Sequence, residues 1–171
     1  MPTPTSAGKG MHHLGLATHD MEATLEFYEG VLGFPAVVCE TNALEKGGVI
    51  RHAFLDAGGG ELVAFMEFNG VEVRGEPFDF DAGINRGLGF RGGVIHFAFR
   101  VDDAAELEKK RLDLIGKGVE VTDVVDHGWC RSIYFVDPNG LQLEFCHLSV
   151  ELGEAQAAGR HSEAWRRWAR R

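Results

Sequence analysis

Two stretches of the chain alternate bulky apolar residues with small or polar ones and then change to a helical spacing. His13-Leu-Gly-Leu-Ala-Thr-His-Asp20 and His96-Phe-Ala-Phe-Arg-Val-Asp-Asp103 each read as a strand of period two, ending in an aspartate placed to cap a following helix. After the first, Leu25, Tyr28 and Leu32 recur at helical spacing over residues 21–32 and stop at Gly33. After the second, Leu107, Leu112 and Ile115 do the same over residues 104–118, with Gly116 and Gly118 as the stop. Short extended runs follow each helix: 49–55 and 62–68 in the first half, 119–124 and 132–145 in the second. The last run is broken by the turn Asp137-Pro138-Asn139-Gly140.

The two halves are the same unit written twice. In both, a histidine precedes an aspartate by seven positions, and an aromatic–aliphatic–Asp turn follows, Phe54-Leu55-Asp56 and Phe135-Val136-Asp137. The fold expected is α+β, with tandem βαβββ modules over 11–72 and 94–148 forming a curved, open barrel with helices outside. Residues 1–10 are expected to be a flexible N-terminus and 149–171 a helical tail with Trp165 and Trp168 on one side. Between the modules, 73–93 is glycine-rich, carries Phe78, Phe80 and Phe90 and shows no period, so it reads as a lid or as a linker with an aromatic anchor.

Composition narrows the function. At 171 residues, 44% apolar and 25% charged, the chain suits one well-filled domain. No run approaches the roughly 20 apolar residues of a membrane span, and the first ten residues lack a signal-peptide pattern, so a cytoplasmic protein is expected. Cys39, Cys130 and Cys146 are odd in number and widely spaced, which suggests neither a disulfide framework nor a cysteine zinc site. The net charge of −9 opposes nucleic-acid binding. Five basic residues lie in the last twelve positions, leaving 12 basic against 25 acidic residues in the first 159. The basic tail is therefore expected to dock on the acidic body or on a second subunit.

Strand alternation puts His13 with Gly15 and Ala17, His96 with Ala98 and Arg100, and Glu144 with Gln142 and Cys146, each away from the bulky packed side. Two imidazoles and one carboxylate gathered on one concave surface make the facial triad of non-haem Fe(II) enzymes, with positions left for substrate, O2 or water. The repeated His-x(6)-Asp-helix pattern and the ending Asp137-Pro-Asn-Gly-Leu-Gln-Leu-Glu144 resemble the vicinal oxygen chelate superfamily over about residues 11–148. That superfamily includes glyoxalase I, fosfomycin-resistance transferases, bleomycin-binding proteins, methylmalonyl-CoA epimerase and extradiol dioxygenases. The resemblance implies paired βαβββ modules, a divalent metal held by His13, His96 and Glu144, and frequent dimerisation.

Two features choose among these chemistries. Aligning the last strands of the modules puts Ala64 opposite Glu144, and alanine cannot supply the fourth ligand of the glyoxalase I set. The run from Val125 to Glu144 is similar throughout to the extradiol signature, which implies that His127 bonds the reacting oxygen and Tyr134 the bound substrate oxygen. The acid–base histidine such enzymes carry on the last strand of the first module is missing, and His52 or Glu61 is expected to take its place. Arg131 is a further residue that could attract an anionic substrate group. The resulting expectation is an Fe(II) ring-cleavage dioxygenase acting on an aromatic diol with O2, with no nucleic-acid or membrane partner. The rivals are a transferase, isomerase or lyase using Mn(II) or another divalent ion, and a metal-free small-molecule binding protein.

Overall fold

The computed structural model describes residues 10–153 and 157–161. The expected flexible N-terminus, apart from Gly10, and both tail tryptophans therefore lie outside the described residues. In order come β1 (His13–Thr18), α1 (Met21–Leu25), β2 (Ala36–Ala43), β3 (Val49–Asp56), β4 (Leu62–Asn69), β5 (Glu72–Val73), β6 (Glu76–Pro77), α2 (Ile84–Gly87), β7 (Phe97–Arg100), α3 (Ala104–Gly116), β8 (Val125–Asp126), β9 (Cys130–Val136) and β10 (Gln142–Leu148). A short 3-10 helix at Ala158–His161 ends the described chain.

The first helix begins where the Asp20 carboxylate accepts the Ala23 N–H at 2.9 Å. It continues from α1 as a π-helix over Glu26–Leu32 and ends at Gly33, whose φ of 80° lies in the left-handed region that glycine tolerates. In α3 the Asp103 carboxylate caps two amides, those of Ala105 and Glu106.

Two four-stranded sheets share one topology, β1-β4-β3-β2 and β7-β10-β9-β8, and in each the first strand runs parallel to its neighbour. The packed face of the first sheet carries Leu16, Leu55, Val63 and Phe65; that of the second carries Ile133, Phe135, Leu143 and Phe145. Both belong to one buried cluster with Tyr28, Leu32, Leu107 and Leu114 from the helices. Phe27 lies 6.5 Å from Phe135, Tyr28 lies 4.8 Å from Phe65, and Phe34 contacts both Phe99 and Phe145.

This arrangement corrects the expected barrel with helices outside. The helices lie between the sheets because each sheet turns its bulky face toward them, and among the described residues no strand pairing joins the two sheets. The other face of each sheet is left open. The halves are also tied by polar contacts: the Tyr28 hydroxyl donates to Asp137 Oδ2 at 3.1 Å, and Thr18 Oγ1 donates to Asn139 Oδ1 at 2.7 Å.

Two elements differ from the sequence expectation. Residues 119–124 form no strand; their link to β9 is made by Thr122, through its N–H and its hydroxyl, both to the Tyr134 backbone. β2 goes unrecognised because almost all of it is exposed, which leaves no alternation to read. The segment 73–93 holds all of the β5–β6 hairpin but Glu72, together with α2, and it is anchored by aromatics. Phe78 lies 4.9 Å from Phe68, and Phe80 stacks on His19 at 4.1 Å.

Candidate metal centre

The register of the first and last strands in each module defines two equivalent places. Gly15 pairs with Ala64 in the first sheet and Ala98 pairs with Glu144 in the second, so His13 and His96, each two residues upstream, correspond. The duplication thus supplies both sheets with a histidine but only one with a carboxylate.

In the second sheet the two groups meet. His96 Nε2 lies 3.0 Å from Glu144 Oε2, and Ser132 Oγ donates to Glu144 Oε1 at 2.5 Å. Glu144 and Ser132 are buried at 5% and 0% exposure, so this carboxylate has left water and depends on these partners. His96 Nδ1 lies 3.1 Å from the Gly93 carbonyl, which can only accept. The Nδ1–H therefore donates there, which leaves Nε2 facing the Glu144 carboxylate. The two groups could hold a cation between them, and a backbone carbonyl on Nδ1 is the usual way a ligating imidazole is oriented. The donor set of one imidazole nitrogen and one carboxylate fits Fe(II), Mn(II) or another divalent ion.

His13 does not join them. It lies on the open face of the first sheet, where its Nδ1 is 2.8 Å from that of His12 and its ring is 5.5 Å from Phe54. Among the described residues no group of three or more His, Cys, Asp or Glu is placed to hold a metal. The expectation that one chain gathers the triad on one concave surface is thereby corrected: the helices that separate the sheets also separate His13 from His96 and Glu144.

The remaining sequence candidates divide the same way. His127 Nε2 lies 2.9 Å from the Tyr134 hydroxyl, and the Tyr134 ring lies 6.0 Å from that of His96, so both stand beside the His96–Glu144 pair. Burial pushes the Tyr134 phenol up, with the Glu144 carboxylate adding to the effect, so it keeps its proton at neutral pH. His52 is on the first sheet, 3.4 Å from Glu40 and 4.4 Å from the Phe54 ring that His13 also meets. Glu61 falls in the β3–β4 turn, outside both strands. Arg131 pairs with Asp126 at 3.1 Å. It alternates with Ser132 and Tyr134 and so points to the helix side, away from Glu144.

Three contributors escape a reading by ligand type. Ser132 and Gln142 share the open face by alternation alone. Arg100 shares it too, opposite Cys146. Burial, with the Glu144 carboxylate adding to it, pushes the Cys146 thiol up to about 11, so the cysteine is a neutral neighbour there. Among the described residues of β7–β10, Arg100 and Arg131 are the cations, and only Arg131 has a carboxylate partner.

Comparison with known proteins bears on the family and the fold. The family profile described as Glyoxalase/Bleomycin resistance protein/Dioxygenase superfamily matches residues 10–145. An integron cassette protein from the mobile metagenome of the Halifax Harbour sewage outfall is 28% identical, with TM-score 0.56, covering 82% of this chain and 99% of its own. TnmS3, an antibiotic binding protein from Streptomyces sp. CB03234, is 18% identical with TM-score 0.58, covering 85% and 100%. The fosfomycin resistance protein FosX from Listeria monocytogenes is 18% identical with TM-score 0.54, covering 81% and 93%. No curated protein matches significantly. Among the described residues no helix is long and apolar enough to cross a membrane.

Proposed function

The chain belongs to the Glyoxalase/Bleomycin resistance protein/Dioxygenase superfamily, and from that footing we propose that it is an Fe(II) oxygenase of the extradiol type, opening catechol-like rings with O2. The observation that carries this reading is the His96–Glu144 pair with the His127–Tyr134 pair beside it on one sheet face. His96 and Glu144 would hold the metal, with His13 from a second copy of the chain as third ligand. A homodimer follows, because the separation of the sheets denies each chain its own His13.

Fe(II) bound there would supply a Lewis-acidic centre for two adjacent substrate oxygens and for O2. Both atoms of O2 enter the ring-opened product as the C–C bond beside the diol breaks, so no further reductant is needed. The Tyr134 phenol, neutral at working pH, donates to a substrate oxygen and fixes the ring's orientation. His127, in hydrogen-bond reach of that phenol, donates to negative charge as it develops. His52 shares the Phe54 edge with His13, so the copy that brings His13 also brings His52 as a proton acceptor for the diol. Arg100, without an ion pair among the described residues, meets an anionic substituent such as a carboxylate.

The rivals use the same residues differently. A phosphonate substrate of the fosfomycin type calls for several cations, and among the described residues of this face Arg100 is the one cation. A metal-free binding protein remains the second reading, favoured because among the described residues no third ligand is grouped with His96 and Glu144. Anaerobic loading with Fe(II), followed by O2 and a panel of catechols, separates them: yellow ring-fission absorbance supports the oxygenase, and an iron-loaded protein inert to the whole panel excludes it.

A further inference from the structure

The segment between the modules does more than connect them. Asn85, on α2, is buried at 6% exposure and spends both ends of its carboxamide on one backbone residue. Its Oδ1 accepts the Ile95 N–H at 2.8 Å, and its Nδ2 donates to the Ile95 carbonyl at 2.6 Å. Ile95 is the residue before His96. The ladder between β7 and β10 begins only at Phe97 opposite Leu143, so Asn85 replaces a strand neighbour where the sheet supplies none. His96 is then held from three sides: by Asn85 through Ile95, by the β10 ladder through Phe97, and by the Gly93 carbonyl at its ring.

Asn85 is itself fixed. Its backbone carbonyl accepts the Phe90 N–H at 2.7 Å. Arg86 grips the Asp81 carboxylate with two bonds of 2.7 and 2.8 Å, and Asp81 Oδ1 also accepts the Gly83 N–H. Gly83 sits so close to the β9–β10 turn that a Cβ there would stand 3.3 Å from the Asn139 carbonyl. The same turn leads into the strand that carries Glu144. A single braced unit therefore spans from the hairpin bearing one ligand to the backbone beside the other.

We propose that Asn85 is a positioning residue for His96, and that the segment 73–93 acts as a bracket setting the His96–Glu144 spacing rather than as a lid. The inference rests on the reading of His96 as a metal ligand. The residue type is specific: a carboxamide offers a donor and an acceptor together, whereas Asp turns a second oxygen toward the Ile95 carbonyl and Ala offers neither group.

The test uses metal-free full-length protein, titrated with Co(II) and followed by its visible ligand-field absorbance, beside amide exchange at Ile95 and a thermal melt. Asn85→Ala is expected to lose Ile95 amide protection, and both Asn85→Asp and Asn85→Ala are expected to bind Co(II) about 10–100-fold more weakly, with an altered band shape. Asp keeps an acceptor for the Ile95 N–H and so guards against a variant that merely fails to fold. Unchanged Co(II) affinity and band shape despite lost Ile95 protection overturn the positioning role. Wild-type protein that binds no Co(II), or a His96→Ala variant that binds it equally well, overturns the metal reading instead, and the inference falls with it.

Discussion

Glu144 stands opposite Ala98 in the second sheet as Ala64 stands opposite Gly15 in the first, so the duplicated unit keeps its histidine twice and its carboxylate once. The lone carboxylate is buried between His96 Nε2 and the Ser132 hydroxyl. Replacing Glu144 with Gln removes the charge that a divalent ion needs, and metal binding is expected to be lost in equilibrium dialysis. Ser132→Ala leaves the charge but frees one oxygen, and the affinity is expected to fall about 10-fold.

The location of His13 predicts complementation between subunits. His13→Ala and Glu144→Ala are each expected to be inactive alone. Unfolded together and refolded, half of the dimers carry one site with every ligand intact, and activity should return to about a quarter of the wild-type level. If His13 serves its own chain, the mixture stays inactive.

Arg100 predicts a preference for substrates with an anionic substituent. Losing a charged hydrogen bond costs about 1.5–3 kcal/mol. Arg100→Gln should therefore raise KM for a carboxylated catechol by about 10–100-fold and leave plain catechol unchanged. Equal effects on both substrates would remove Arg100 from the site.

A separate pair governs acid stability. Arg51 donates to Glu67 at 2.5 Å and holds its carboxyl down at about 2, below the ordinary 4.5, with further help from the Met21 N–H and Asn69. A depressed folded pKa stabilises above the unfolded value, so this contribution is complete above about pH 5 and is lost as pH falls through 2. It amounts to at most about 3 kcal/mol. Denaturant melts of wild type should weaken across that interval, and those of Glu67→Gln should be flatter there.

Much of this was legible in the sequence because strand alternation is a local signal. It placed Gln142, Glu144 and Cys146 on one face and Leu141, Leu143 and Phe145 on the other, and it located His13 and His96 as equivalents. What it could not carry was which way the two sheets turn. Both packed faces need cover, and a helix layer satisfies them equally from inside or outside the pair. Phe34, touching Phe99 and Phe145 across the halves, decides the matter through a contact that no periodicity encodes. Asn85 was hidden for a related reason, since its task is a backbone contact ten residues away within a segment that has no period.

The most direct test is metal analysis of protein purified without added metal, read beside O2 uptake with catechols. The account predicts iron near one per chain and O2 consumed in step with ring-fission product. Manganese or another divalent ion with no O2 uptake would contradict it and favour transferase or isomerase chemistry at the same ligands.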